Sequence, residues 1–257
     1  MVVFCSLLAA VGAVLRAQTL VDLYTFNGTY ADSLGGPALT GNGAILGAGT
    51  LTFGPNQGPR FDGDASLAGN YSIGLQFSLS SINVDSGWQK LVDFQNLGAD
   101  SGAYTYGQEL QFVYVPGVTF ENGTRPLPAN ATINVVFTRD GATNQFSAYL
   151  NGSTTPEYTF ADTTGQAMAS LVNGDARFIF FMDDTATGQA EAGAGVLEQI
   201  RIWNGPLSPD QIPTAFAAIP EPETGGLLLM ALVSGWIARR RHGGRPGSGI
   251  RVVRFLG

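Results

Sequence analysis

The chain has 257 residues, among them 35 glycines and 16 phenylalanines, and only 13% are charged, a composition that predicts an all-β protein rich in turns. Residues 18–218 carry six Lys or Arg against eighteen Asp or Glu, a balance of -12 that argues against nucleic acid as a partner. The only cysteine, Cys5, and the only histidine, His242, lie near the two ends, so the body between them has neither a disulfide nor a histidine for general-base chemistry or zinc binding.

The first predicted element is an apolar segment from Val2 to Leu15. Its length is typical of the core of a secretory signal, and small residues near Ala17 suit a signal peptidase. We therefore expect residues 1–17 to be a removable signal peptide and the rest of the chain to be exported.

The body is predicted to consist of short strands. The clearest pattern is the alternation of Tyr71, Ile73, Leu75, Phe77 and Leu79 with small or polar residues, which places one face of a strand in a core. Similar runs occupy residues 20–26, 90–94, 109–115, 132–138, 145–150, 157–160, 177–182 and 196–203. Asn-Gly pairs, which favour tight turns, begin at Asn27, Asn122, Asn151, Asn173 and Asn204. This arrangement predicts an antiparallel two-sheet β-sandwich or jelly roll.

A short helix is predicted at Ser208 to Phe216, with Ser208 as its cap, Pro209 in its first position and Pro213 interrupting it. We expect a linker at 213–219 to follow the folded domain.

Three segments of the body resemble a known family. The segment LVDLYTFNGTYADSLGGPALT opens it, QFSAYLNG forms a central hairpin, and VLEQIRIWNGPLSPDQI closes it. They resemble the first strand, central hairpin and last strand of the laminin-G-like jelly roll of the concanavalin A-like superfamily. The resemblance covers residues 18–212 and implies a fold that hosts both lectin-type binders and glucanases.

The carboxylates of the body do not form the paired arrangement that a retaining glucanase needs. Asp62 and Asp64 are interpreted as a solvated loop, and Asp183 and Asp184 would point to opposite faces if their strand continued. Calcium, which accepts loop carboxylates, is the better candidate for Asp183, Asp184 and Glu198, and laminin-G-like domains often hold such an ion. No catalytic residue is assigned.

Exposed aromatic side chains are candidate platforms for sugar stacking. Trp88 follows a turn and is the preferred candidate ligand-binding residue. The other aromatic candidates are Tyr104, Tyr106, Tyr114 and Trp203.

The C-terminal region begins with Pro220, Glu221 and Pro222, continues as an apolar run over residues 225–238 that includes Trp236, and then carries Arg239, Arg240 and Arg241. Fourteen apolar residues are short for a membrane span, but Trp236 beside the arginines would form an interfacial membrane anchor with the arginines on the cytoplasmic side. This order resembles the PEP-CTERM sorting segment of Gram-negative bacteria. The resemblance implies that residues 220–242 pass transiently through the inner membrane and are processed by an exosortase. Residues 243–257 form a basic tail without an assigned role.

These observations predict an exported, noncatalytic protein of the cell surface or extracellular matrix, whose sandwich binds polysaccharide or other surface components. Two alternatives stay open: a carbohydrate-active enzyme on the same fold, and a structural surface protein without a ligand.

Overall fold

A computed structural model describes residues 18–82, 87–114 and 119–219. The signal segment, the Pro-Glu-Pro motif with its membrane anchor, and the basic tail lie outside these residues. The first eight strands of the described part are β1 (Leu20–Tyr24), β2 (Ile45–Leu46), β3 (Leu51–Phe53), β4 (Arg60–Gly63), β5 (Tyr71–Leu79), β6 (Gln89–Asp93), β7 (Gly102–Tyr106) and β8 (Glu109–Tyr114). The others are β9 (Thr119–Asn122), β10 (Ile133–Asp140), β11 (Gln145–Leu150), β12 (Tyr158–Ala161), β13 (Ser170–Val172), β14 (Asp175–Phe180) and β15 (Gly195–Trp203).

The strands form two antiparallel sheets, as the sequence predicts. The first sheet has the order β12-β11-β10-β5-β15-β3-β2, with β1 also paired to β15. The second sheet has the order β13-β14-β6-β7-β8-β9, with β4 also paired to β14. Among the described residues, no helix is long and apolar enough to cross a membrane.

The core lies between the two sheets and is rich in aromatic rings. The alternating residues of β5 are buried there, which confirms the face predicted for this strand. Phe94, at the end of β6, lies with its ring centroid 6.0 Å from those of Tyr71, Phe112, Phe146 and Phe178, which come from both sheets. Such offset and edge-on ring pairs add to the stability gained from apolar burial.

A smaller apolar cluster covers the outer face of the first sheet. It consists of Val136, Tyr149, Trp203, Leu207, Ile212 and Ala215, with Phe216 packed against it. Gly74 of β5 lies beneath: a Cβ there would lie 3.0 Å from the Phe216 ring and 3.1 Å from the Trp203 ring. The absence of a side chain therefore lets the end of the domain close onto the sheet, and this packing continues to Phe216, into the segment predicted as a linker.

The predicted short helix is a 3₁₀ helix at Pro209–Thr214. The Ser208 backbone amide donates to Gln211 Oε1 at 2.8 Å, which fixes its start. A second 3₁₀ helix, Ala65–Ala68, was not predicted; Asp64 caps it by accepting from the Ser66 amide at 2.8 Å.

Of the predicted Asn-Gly turns, those at Asn151 and Asn173 have the expected positive φ, 50° and 57°.

One buried carboxyl group in β1 has an unfavourable position. Asp22 is only 4% exposed, and burial, followed by repulsion from Asp32, raises its pKa to about 6. Because the folded chain holds this proton more tightly than the unfolded chain does, Asp22 favours folding at low pH and loses that contribution as the pH rises through about 6.

We therefore expect Asp22→Asn to raise the free energy of unfolding at pH 7.5 by roughly 1–3 kcal/mol, and to change it little at pH 3.5, where the wild-type carboxyl is protonated in the folded state and mostly protonated in the unfolded state. Urea unfolding at the two pH values measures this difference. Asp175→Asn, at an exposed position of β14, is the matched control and should be neutral at both. An equal gain from Asp22→Asn at both pH values would contradict the explanation.

Candidate functional site

Four aromatic side chains, Trp88, Tyr104, Tyr106 and Phe120, form a cluster on the outer face of the second sheet, here called the aromatic patch. The Trp88 ring stacks on Tyr106 with centroids 4.2 Å apart and on Phe120 at 5.2 Å, and it meets Tyr104 edge-on at 5.6 Å. Tyr104 and Tyr106 are two residues apart on β7 and therefore project from the same face.

The patch is open to solvent at two of its rings, whereas the Tyr104 ring is fully buried. Tyr106 is 37% exposed and Phe120 is 38% exposed, while Trp88 is partly buried between them. Exposed contiguous aromatic surface of this kind on a folded domain is typical of an interaction site.

Two acidic side chains border the patch. Asp100 and Glu191 line a shallow cavity of about 90 Å³ together with Trp88, Val113 and Phe120. The Tyr104 hydroxyl donates to Asp100 Oδ1 at 3.1 Å. Burial, reinforced by the charges of Asp100, Asp183 and Asp184, raises the pKa of Glu191 to about 7. At neutral pH the Glu191 carboxyl is thus divided between its two protonation states, so it can donate or accept a hydrogen bond.

A buried ion cluster lies behind this rim, here called the Lys90 cluster. The Lys90 ammonium lies 3.3 Å from Asp93 Oδ2 and 3.6 Å from Asp183 Oδ1, and it donates a short hydrogen bond to Asp184 Oδ2. All four side chains are fully buried. One positive charge therefore faces three carboxyl groups in the interior.

The Lys90 cluster also holds the loop that carries Glu191. The Glu191 amide donates to Asp183 Oδ2 at 2.9 Å, and the Lys90 amide donates to the Glu191 carbonyl at 2.9 Å. Burial opposes ionisation of Asp184, but the Lys90 hydrogen bond and charge and the amides of Ala186 and Thr187 outweigh it and lower its pKa. The cluster thereby fixes the acidic rim of the aromatic patch.

The structure separates the three predicted calcium ligands. Asp183 and Asp184 meet at Lys90, whereas Glu198 lies on β15 and accepts a hydrogen bond from the Thr132 hydroxyl at 2.9 Å. Within the described ranges, no group of three or more His, Cys, Asp or Glu side chains is placed to hold a metal ion. The carboxylates of Asp183 and Asp184 therefore contact the Lys90 ammonium, where the sequence predicted a calcium ion, and Glu198 is not part of this cluster.

Asp183 and Asp184 do not point to opposite faces of a strand. β14 ends at Phe180, earlier than predicted, and Phe181 has a φ of 52°, which turns the chain. Both carboxylates can therefore approach Lys90.

The predicted aromatic candidates divide into two groups. Trp88, Tyr104 and Tyr106 come together in the patch. Tyr114 instead stacks on Phe160 at the margin of the core, with centroids 5.5 Å apart, and Trp203 is buried in the apolar cluster of the other sheet. Phe120, Asp100 and Glu191 were not predicted. The alternation of Phe120 with polar neighbours in β9 was a usable signal, but the two acidic residues lie in loops without a pattern.

The sequence matches no protein-family model, and no curated protein matches it. Solved structures do match: domain 4 of AbnA, a GH43 extracellular arabinanase from Geobacillus stearothermophilus in complex with arabinotriose, aligns with a TM-score of 0.53 and 15% identity over 77% of this chain and 98% of that chain. Trypanosoma rangeli sialidase aligns with a TM-score of 0.56 and 14% identity over 77% of this chain, but this match spans only 32% of the sialidase. At such identities the likeness shows the fold alone, a jelly-roll β-sandwich.

Proposed function

We propose that this protein binds polysaccharide through the aromatic patch and acts without catalysis as an exported bacterial protein of the cell surface or extracellular matrix. The observation that carries the proposal is the stack of Trp88 on Tyr106 and Phe120, bordered by Asp100 and Glu191. Aromatic faces pack against the C–H faces of sugar rings, and carboxyl groups at the rim hydrogen-bond to sugar hydroxyls. The arabinanase domain with the same fold is itself complexed with arabinotriose, which supports this class of ligand.

The route to the surface is part of the proposal. Residues 1–17 serve as the signal peptide, the laminin-G-like sandwich folds outside the cytoplasm, and the PEP-CTERM segment at 220–242 crosses the inner membrane until an exosortase cuts near Pro220, Glu221 and Pro222. Mass spectrometry of the mature protein from its native cell tests this route. Loss of both terminal segments is expected, and a soluble cytosolic product with both ends intact would contradict it.

Binding is tested with the full-length protein and a panel of immobilised neutral polysaccharides, including arabinan, β-glucan and galactan. We expect retention on at least one of them. If the folded protein bound none, the proposal would fail and the structural role without a ligand would be favoured.

A second candidate function rests on the acidic rim. A carboxyl group with a pKa of about 7 beside a second carboxylate is an arrangement that glycoside hydrolases use, with Glu191 as the acid and Asp100 as its partner. Release of reducing ends from the bound polysaccharide, abolished by Glu191→Gln with binding retained, would establish an enzyme. We expect no release.

A further inference from the structure

Two arginines share one carboxylate on the outer face of the second sheet. Arg177 of β14 lies opposite Asp62 of β4, and Arg60 lies two residues from Asp62 on the same face. Asp62 accepts from Arg60 Nε at 2.7 Å and from Arg177 Nε at 2.5 Å. Asp62, predicted as part of a solvated loop, is thus a strand residue between two guanidinium groups, and the group as a whole carries one net positive charge.

This positive charge stands out against the acidic body. Lys90 faces three carboxylates, Arg125 pairs with Glu157, and Arg139 pairs with buried Asp162. Arg201 is buried and donates to the Ala215 carbonyl. In the part of the chain that the structure describes, Arg60 and Arg177 are therefore the two cations that share a single carboxylate, and 37% of the Arg60 side chain and 14% of the Arg177 side chain are exposed.

The two arginines line a cavity of about 160 Å³, here called the arginine cleft, whose other walls include Thr40, Asn96 and the apolar side chains of Ile179 and Met182. Arg177 Nη1 donates to Asn96 Oδ1 at 2.9 Å, and Arg60 Nη2 donates to Thr40 Oγ1 at 3.4 Å. These contacts hold the guanidinium groups in position. Arg60 Nη1 and Arg177 Nη2 donate to no group among the described residues, so each arginine keeps N–H donors for a ligand.

We infer that the arginine cleft binds the carboxylate of an acidic sugar unit, a uronic acid of a polysaccharide. The planar guanidinium fork matches the two oxygens of a carboxylate, and the apolar wall formed by Ile179 and Met182 suits the C–H face of a sugar ring. β14, which carries Arg177, pairs with β6, which follows Trp88, so the cleft and the aromatic patch lie on the same outer face. The inference rests on the proposed function for the class of ligand, but its site is separate from the patch.

Calorimetry with the full-length protein tests the inference, with tri-galacturonic acid as the acidic probe and galactotriose as its neutral counterpart. We expect the acidic trisaccharide to bind more tightly than the neutral one, and Arg60→Gln or Arg177→Gln to weaken its binding about tenfold. Asp62→Asn should strengthen it several-fold, because it removes the competing carboxylate. This opposite sign separates a ligand site from a merely structural ion pair. It also keeps the test decisive if one arginine variant fails to fold.

Equal affinity for the acidic and neutral trisaccharides would overturn the inference. So would unchanged affinity in a folded Arg60→Gln protein, or displacement of tri-galacturonic acid by an equal concentration of inorganic phosphate. Trp88→Ala separates the two sites: if the cleft acts as inferred, this variant keeps arginine-dependent binding of tri-galacturonic acid, whether or not the aromatic patch binds neutral polysaccharide.

Discussion

Replacing Lys90 with Met is expected to remove a large part of the stability of the domain at neutral pH. The ammonium group is fully buried and lies between Asp93, Asp183 and Asp184. Methionine fills a similar volume but leaves three carboxylates without their cation. Removing one partner of a buried ion pair costs about 3–5 kcal/mol, against a total of about 5–15 kcal/mol for a typical domain. Urea unfolding at pH 7.5 should show a loss of at least this size.

The loss should shrink in acid. Burial already raises the pKa of Asp93 even with Lys90 present, and removal of the ammonium takes away the hydrogen bonds and charge that hold down the pKa values of Asp93 and Asp184. A carboxyl with a raised pKa in the folded state destabilises it above the ordinary pKa and progressively less as the pH falls. The difference between Lys90→Met and wild type should therefore be smaller at pH 5 than at pH 7.5.

A second-site change provides the control. Adding Asp184→Asn to Lys90→Met removes one of the unbalanced charges, so the double variant should be more stable than Lys90→Met alone, although Asp184→Asn by itself is destabilising. If the double variant lost the sum of the two single losses, unbalanced charge would not be the cause. The account would also fail if Lys90→Met unfolded at the same urea concentration as wild type.

Replacing Trp88 with Ala is expected to reduce affinity for neutral polysaccharide by about thirtyfold, equivalent to about 2 kcal/mol. Trp88 contacts the other three rings of the aromatic patch, so its removal takes away the support that holds the exposed rings of Tyr106 and Phe120 in place. Isothermal calorimetry or affinity electrophoresis with the polysaccharide that the full-length protein retains measures the change.

Two variants bracket this result. Trp88→Phe keeps an aromatic face and should retain most of the affinity. Phe216→Ala removes a ring of similar exposure from the outer face of the opposite sheet, where it packs near Arg201 and Trp203, and should leave binding unchanged. Equal loss of binding in Trp88→Ala and Phe216→Ala would show that general destabilisation, rather than the patch, governs binding.

Periodicity in the sequence was sufficient to predict every strand of six or more residues and some of the shorter ones. The nine residues of β5 repeat their alternation often enough to be recognised, and all nine runs predicted from the sequence correspond to strands. By contrast, six strands were not predicted. Of these, β2, β3, β4, β9 and β13 have two to four residues, too few to establish a period, and β7 has five.

The sequence could predict only those parts of the site that consist of residues close together in the chain. Tyr104 and Tyr106 share β7, so their common face follows from their spacing once the strand is recognised, although the strand itself was not predicted. The Lys90 cluster joins residues more than 90 positions apart in the sequence. It depends on a turn in which Phe181 has a positive φ, a conformation that is uncommon for phenylalanine and therefore not predictable from the sequence. The same is true of the arginine cleft, in which Arg177 meets Asp62 from 115 positions away.

The margins of the two sheets bear on how copies of this protein would behave when crowded. The outermost strands that the structure describes, β1, β2, β4, β9, β12 and β13, have between two and five residues each. An unpaired edge strand of that length offers few backbone hydrogen bonds to a neighbouring molecule. Edge-to-edge pairing of sheets from two molecules is therefore disfavoured. Copies of the domain at high concentration would accordingly stay as separate molecules, each keeping the broad outer faces of its sheets free.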